Sequence, residues 1–351
     1  MLSNWNTTRT SLFPRSFLHG SRLVAGITLG DPAGIGPEVA LAAVNSLNDD
    51  SINCVLIGRQ DVLAGNHPGL FSNYRVLSNE QEFASVLPGK NYLYDVPSGD
   101  PVPAPGQGSV LTGLESMRYI DAALDLWKKK KIDYIVTGPV SKGLIGKAGF
   151  PFTGHTEYLA DALGERAPYM MMHSEDFRVL LVTTHAPLDR VTGMITVQSI
   201  LQTIRTGHKA ILAIDGRKGK LAIAGLDPHC GDDGAIGDFD TRVTAAAVAA
   251  AREEGVDIEG PISADALFVP ARWKRYNLAI AHYHDQGLIP FKMLAFETGV
   301  NVTLGLSMTR TSVDHGTAFD IAGKGRASYT SMVSAIRLGF KLETGRRGSG
   351  S

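Results

Sequence analysis

Residues 23–47, LVAGITLGDPAGIGPEVALAAVNSL, decide how the chain folds. An apolar run, 23–29, breaks at a glycine-rich turn, GDPAGIGPE at 30–38, and passes into a helical stretch over 37–47. Proline suits the first turn of a helix, where its missing N–H has no partner to lose. A strand, a tight glycine turn and a helix in that order form the opening unit of a parallel α/β sheet. Such a turn also leaves free backbone N–H groups at a helix N-terminus, a seat for an anion. The dinucleotide fingerprint G-x-G-x-x-G is not completed, because Val39 stands where the glycine after Gly34 and Gly36 belongs. A Rossmann cofactor site is therefore disfavoured, while a purely structural turn and a direct ligand role both stay open.

The same unit recurs along the chain. Apolar runs at 53–58, 134–138, 179–184, 220–225 and 278–281 alternate with helical stretches such as 114–130 and 241–254. That alternation predicts an α/β protein with largely parallel sheets covered by helices. The loops TGPVSKG, THAPLDR and GLDPHCGDDG each follow a strand, so candidate chemistry collects at strand carboxyl ends. GPVSKGLIGK fails the phosphate-loop pattern, since Ala148 follows Lys147 where Ser or Thr is required, and this argues against a nucleotide kinase. Residues 100–110, DPVPAPGQGSV, read as a surface loop.

With 351 residues the chain exceeds the size at which one core stops growing, which predicts about two lobes with a cleft between them. Its 34 Lys and Arg against 35 Asp and Glu leave no overall field to attract nucleic acid or an anionic bilayer. No apolar run approaches the ~20 residues that span a membrane. Cys54 and Cys230 are the only cysteines, which excludes a disulfide framework and suits a reducing, cytoplasmic compartment. Residues 1–23 hold Arg9, Arg15 and Arg22 and no acid, a composition that overlaps with transit peptides and reads as a disordered extension. The tail 344–351 reads as flexible. The cation run 128–131 reads as a solvated helix end.

Chemistry is densest over 282–325, HYHDQGLIPFKMLAFETGVNVTLGLSMTRTSVDHGTAFDIAGKG, where loops are expected to bring a possible metal ligand next to several cations. His284 and Asp285 follow a buried strand; Lys292, Arg310 and Lys324 supply positive charge, Asn301 an amide, and Gly316, Gly323 and Gly325 close backbone approach. GHTE at 154–157 could aim His155 and Thr156 at a phosphate near a helix N-terminus, although Thr156 as a plain cap weighs evenly. His185, His229 and His284 each lie just beyond a strand, and three imidazoles with an open position suit a catalytic divalent ion. Their separations of 44 and 55 residues carry no local metal pattern, and three unrelated loop histidines would look the same. The company of acids argues for the site: Asp285 beside His284, Asp232 and Asp233 after His229, and Asp265 in GPISADALF.

Taken together, LGDPAGIGPE, VTGPVSK, FTGHTEYLAD, TTHAPL, GLDPHCGDDG, GPISADALF, YHDQGLIPFK, GVNVTLGL and RTSVDHGTAFDIAGKG resemble the 4-hydroxythreonine-4-phosphate dehydrogenase family of pyridoxal-phosphate (vitamin B6) biosynthesis, in family order over 24–342. The resemblance implies two α/β/α lobes similar to isocitrate and isopropylmalate dehydrogenases, one of 24–146 plus 290–343 on the cofactor side and one of 147–289 on the metal and dimer side. It implies NAD or NADP against HGTAFDIAG, through Asp314, His315, Gly316, Thr317, Asp320 and Gly323. It implies one divalent ion (zinc, magnesium or cobalt) on His185, His229 and His284. Substrate contacts then fall on His155, Thr156, Lys292, Asn301 and Arg310, and catalytic support on Lys292, Asp265 and Asp285. A homodimer is implied, each active site drawing on both subunits. DPHCGDD stands where members more often carry NPHAGE, and LSMTRTS replaces the frequent LPFIRTS. The implied reaction is oxidation of 4-phosphooxy-L-threonine with decarboxylation to 3-amino-2-oxopropyl phosphate. A related dehydrogenase of D-threonate or D-erythronate 4-phosphate, a metal-dependent phosphatase and a phosphate-binding module are the rival readings.

Overall fold

In the computed structural model, residues 23–348 apart from 48, 50 and 167 are described. Residues 1–22 and 349–351 of the expected terminal extensions lie outside them. The strands are β1 (Leu23–Thr28), β2 (Ile52–Gly58), β3 (Tyr74–Leu77), β4 (Asn91–Asp95), β5 (Tyr134–Thr137) and β6 (Tyr169–His173). They continue as β7 (Arg178–Leu181), β8 (Leu221–Ala224), β9 (Ile258–Ile262), β10 (Leu278–Ala281), β11 (Val300–Leu304) and β12 (Arg310–Val313). Among the described residues these twelve make one mixed sheet of order β3-β4-β2-β1-β5-β12-β11-β6-β7-β10-β8-β9, the α/β architecture that the alternating pattern predicts. All six sequence-predicted runs are strands here, with buried interiors expected of a sheet covered on both faces.

Two parallel halves meet in this sheet, and they run in opposite directions. From β3 to β12 every pairing is parallel; β12 with β11, β11 with β6 and β6 with β7 are antiparallel; β7 through β9 is parallel again. Three antiparallel pairings reverse the sense an odd number of times, so loops after β5 and β12 leave one side of the sheet and the loop after β7 leaves the other. Across the three central strands these loops converge on one face.

Registers define that face. Arg310 pairs with Thr303 and Thr303 with Met170; Ser312 pairs with Asn301 and Asn301 with Met172. Paired residues share a face and alternate residues along a strand keep it, so all six point one way. The opposite face lies under the helix Thr330–Gly348, where Thr311 Oγ1 donates to Ala335 O at 2.8 Å and Tyr134 OH to Ile336 O at 3.0 Å. That helix corrects the flexible reading of the tail for 344–348: Gly345 is helical, and a Cβ there would meet Ala213 O at 2.2 Å, so a glycine permits close approach to the helix Val197–Asp215.

The stretch 282–325 is also more ordered than a string of loops. It holds the helix His284–Ala295 and both β11 and β12. The Pro37-headed helix spans Gly36–Ser46, and the cation run lies where the helix Val110–Lys128 ends, Lys129 there bonding Glu80 and Asp125 at 2.6 Å each. Cys54 and Cys230 are not joined in a disulfide. Among the described residues no helix is long and apolar enough to cross a membrane.

Gly339 carries a testable contact, since a Cβ there would stand 2.5 Å from the ring of Tyr134 on β5. Gly339→Val should destabilise the protein by about 1–3 kcal/mol through overpacking, read as a lowered thermal midpoint. An unchanged midpoint would mean that helix and sheet do not pack as closely as described.

Candidate functional site

On the face of the central strands lies a cavity of about 430 Å³. Its floor is Arg310, a guanidinium only 3% exposed. Thr137 Oγ1 accepts from Nε at 3.1 Å and from Nη2 at 2.6 Å, and Thr303 Oγ1 accepts from Nη1 at 3.0 Å. Hydroxyls orient the cation without neutralising it. Burial pushes its pKa down to about 9, opposed only by the more distant carboxylate of Glu157. A buried cation without an ion-pair partner is costly, and an anion entering the cavity would relieve that cost.

The helix His155–Leu163 supplies a second anion-seeking element. Its N-cap, Gly154, makes no side-chain cap bond, and residues 154–157 line the cavity, so the first backbone N–H groups and the positive end of the helix dipole are available there. Thr156 is therefore no cap; its Oγ1 lies 3.0 Å from Thr303 Oγ1 and so adjoins the Arg310 network. His155 is half-buried, its Nε2 buried and without a partner among the described residues, and burial first, then Arg310 and Lys142, hold it well below the usual imidazole range. It is a neutral hydrogen-bonding group. Asn301 on β11 also lines the cavity, with a buried and unpartnered Oδ1.

Opposite these residues, His185 after β7 lines the same cavity, its ring centroid 5.5 Å from that of His284. Partial burial and the Lys142 charge depress the His185 pKa. His284 opens the helix His284–Ala295, and Asp285 Oδ1 sits 2.7 Å from its Nδ1, which leaves Nε2 for another partner. His229 is elsewhere, in an adjoining cavity of about 540 Å³ with Asp265 and Asp285. Asp265 takes a short hydrogen bond from Ser263 Oγ, which with nearby His229 keeps its carboxyl below the usual range. Within one chain two of the three histidines come together, and among the described residues no group of three metal-binding side chains is close enough to hold an ion.

The loop carrying His229 is built under constraint. His229, Cys230, Asp232 and Asp233 have φ of 52°, 55°, 46° and 51°, a left-handed run that costs L-residues about 1–2 kcal/mol each. A buried carboxylate holds it: Asp240 accepts from Leu226 N at 3.0 Å, Asp227 N at 2.8 Å and Thr244 Oγ1 at 2.7 Å. Gln286 ties the ends of β8 and β10 together, accepting from His282 N and donating to Gly225 O at 2.7 Å each. Sequence reasoning missed Asp240 and Gln286, each of which bonds a partner distant in sequence.

Lys292 is engaged by Asp314 Oδ2 at 2.9 Å and lies outside the lining of the Arg310 cavity, whereas Asp314 and His315 belong to that lining. His315 has a buried, unpartnered Nε2. Around Gly316 there is open space for a Cβ, while Gly323 has a φ of 71° and a Cβ there would stand 2.7 Å from Pro105. Thr317 O accepts from Ile35 N at 2.9 Å, so GDPAGIGPE braces the loop that contains Asp320. Lys324 is occupied by Asp320 O at 2.6 Å. Lys142 and Glu157, also in the cavity lining, were not singled out from the sequence, although VTGPVSK and GHTE contain them.

Asp31 anchors the bracing turn. Fully buried, it accepts from Ala33 N at 3.0 Å and Thr112 Oγ1 at 3.2 Å, and burial with the nearby Glu115 charge raises its pKa to about 6.

Known proteins share this design over nearly the whole chain. The family described as "PdxA: Pyridoxal phosphate biosynthetic protein PdxA" matches residues 50–339. A 4-hydroxythreonine-4-phosphate dehydrogenase of Caulobacter vibrioides is 39% identical over 329 residues, 92% of this chain and 98% of that protein. A Bradyrhizobium diazoefficiens protein provisionally designated D-threonate 4-phosphate dehydrogenase is 37% identical over 93% of this chain and 98% of its own. The crystal structure of 4-hydroxythreonine-4-phosphate dehydrogenase from Klebsiella pneumoniae superimposes with a TM-score of 0.78 at 33% identity, covering 92% of this chain and 100% of that one.

The raised Asp31 pKa has a definite sign. The native state holds the proton more tightly than the unfolded chain, so this residue's contribution falls as pH rises from about 4 through 6, by on the order of 2–3 kcal/mol. Asp31→Asn should therefore raise the thermal midpoint at about pH 8, with the gain vanishing near pH 4. A gain that is equal at both pH values would remove the titration argument.

Proposed function

The chain belongs to the family of pyridoxal phosphate biosynthetic protein PdxA and is an oxidoreductase, and we propose that it oxidises the secondary alcohol of 4-phosphooxy-L-threonine. The 3-oxo acid formed, 2-amino-3-oxo-4-phosphooxybutanoate, loses CO2 to give 3-amino-2-oxopropyl phosphate. What carries this reading is Arg310: a buried, unneutralised guanidinium beside an uncapped helix N-terminus is a receptor for a compact, multiply charged oxyanion such as a phosphate ester.

In this reading Arg310, His155 and Thr156 hold the phosphate, and Asn301 Oδ1 accepts a hydrogen bond from the substrate's polar end. Lys292 anchors a second anionic group or moves a proton once it leaves Asp314. His185 and His284, with rings already adjacent, are the starting pair for a divalent ion, with His229 as third ligand and Asp265 and Asp285 orienting the imidazoles. Its position in the adjoining cavity supports a homodimer whose active sites take ligands from both subunits. So does the apolar surface on the helix His284–Ala295 and just beyond it, where Ile289, Met293 and Phe296 are 59%, 81% and 73% exposed. The unpartnered His315 Nε2 and the open space at Gly316 fit a dinucleotide, NAD or NADP, along Asp314, His315, Gly316, Thr317, Asp320 and Gly323. When bound, the dinucleotide accepts the hydride and the ion stabilises negative charge developing on substrate oxygen. The unpaired cysteines fit a cytoplasmic setting.

The Bradyrhizobium relative supports a second reading, oxidation of a four-carbon sugar-acid phosphate, which presents the same phosphate and secondary alcohol without the ammonium group. NADH absorbance is to be followed with 4-phosphooxy-L-threonine and with D-threonate 4-phosphate, before and after chelation. The first substrate is expected to turn over at least about tenfold more efficiently, a difference of ~1.4 kcal/mol, and the reverse order would transfer the assignment. His284→Ala should lower bound metal and reduce activity by more than about 100-fold; full metal content in the folded variant would remove His284 from the ligands. Gly316→Val should leave the thermal midpoint unchanged, because a Cβ there meets nothing, yet weaken NAD binding by calorimetry. Wild-type affinity would move the cofactor away from HGTAFDIAG.

A further inference from the structure

We propose that Lys142 is a second phosphate-binding cation of this enzyme, acting with Arg310 to select phosphorylated substrates; this rests on the phosphorylated-substrate reading above. Lys142 begins the short helix Lys142–Lys147, fixed by Ser141, whose Oγ accepts from Leu144 N at 3.3 Å. The strap that leads to it, Pro139 and Val140, follows β5 and lines the Arg310 cavity, as Lys142 does itself.

Its ammonium reaches the N-terminus of the helix His155–Leu163. A Cβ placed on Gly154 would stand 3.5 Å from Lys142 Nζ and 2.7 Å from Glu157 Oε2, which puts the ammonium and that carboxylate beside the start of this helix. After burial and Arg310, the same charge contributes to the lowered proton affinity of His155 in the cavity. No hydrogen bond or ion pair engages the ammonium among the described residues. The other lysines of the region are occupied, Lys292 by Asp314 and Lys324 by the backbone of Asp320.

The two cations are built for different tasks. Arg310 is locked by Thr137 and Thr303 and presents a fixed planar edge from the sheet. Lys142 is exposed, carries a compact charge on a flexible stem, and comes from the strap above the sheet. A phosphate monoester carries nearly two charges at neutral pH. One guanidinium leaves about one of those charges unmatched, and a mobile ammonium that settles on the ester only when it is present matches the second at no cost to the empty site.

The test uses Lys142→Met, Lys142→Arg and Arg310→Lys in the full chain. Calorimetry with inorganic phosphate is combined with steady-state kinetics on 4-phosphooxy-L-threonine and its unphosphorylated counterpart, 4-hydroxy-L-threonine. Lys142→Met is expected to weaken phosphate binding and raise KM for the phosphorylated substrate by about tenfold or more, with kcat little changed. Preference over the unphosphorylated compound should shrink by the same factor, and Lys142→Arg should restore most of both. If Lys142→Met keeps wild-type phosphate affinity and KM while Arg310→Lys weakens them, the inference about Lys142 is overturned and the phosphate reading stands. A fall in kcat with a displaced pH profile at unchanged KM also overturns it, in favour of proton transfer. If the wild type itself binds no phosphate, the phosphorylated-substrate reading fails first.

Discussion

The guanidinium of Arg310, buried and, among the described residues, hydrogen-bonded to hydroxyls alone, is the constraint around which the site is arranged. It starts β12, and Thr137 at the end of β5 and Thr303 on β11 hold it from either side. A carboxylate in the place of either threonine would satisfy the cation and leave nothing for a ligand. The protein instead retains a cation whose burial is only partly compensated. That choice leaves positive charge concentrated at the cavity even though total charge across the molecule is close to balanced. Positive charge is gathered locally at this cavity, by Arg310, Lys142 and one helix end.

The antiparallel centre makes this arrangement possible. A wholly parallel sheet would deliver its loops to a single edge. Reversing direction three times lets β5 and β12 bring the strap 139–142 and the loop 314–325 to one end of the cavity, while β7 brings His185 to the other. A short anionic substrate can then lie between an anion receptor and a pair of imidazoles that belong to different halves of the sheet.

Much of this was legible in the sequence, unevenly. Six parallel strands, β1, β2, β5, β7, β8 and β10, announced themselves as apolar runs, several closed by a glycine or histidine turn, whereas the parallel strands β3, β4 and β9 did not. The central strands did not: β11 reads VNVTL and β12 RTSV, where polar residues line the cavity on one face, while β6 reads YMMMH and lines it with Met170. Functional polarity hid the strand character of β11 and β12. His155, Thr156, Asn301, Arg310 and His185 do assemble, and the pattern GHTE placed at a helix start was sufficient to suggest why. The approach of His229 to the other histidines was not legible and is not made within one chain. Asp240 and Gln286 escaped because each also bonds backbone atoms distant in sequence, Leu226 N and Asp227 N for the one and Gly225 O for the other, which no local pattern encodes.

The path of the chain through the sheet has a consequence for how the protein is made. β5 at 134–137 lies at the edge of the first parallel half until β12, at 310–313, arrives to pair with it, and the helix Thr330–Gly348 then covers both. A ribosome must therefore synthesise about 170 further residues before the first half is closed. Through that interval the edge of β5 is an unpaired template, open to chaperones or to a wrong strand. Arg310, which sits on the late strand, is then among the last residues to join the cavity, so Thr137 waits for its partner until the first half is closed.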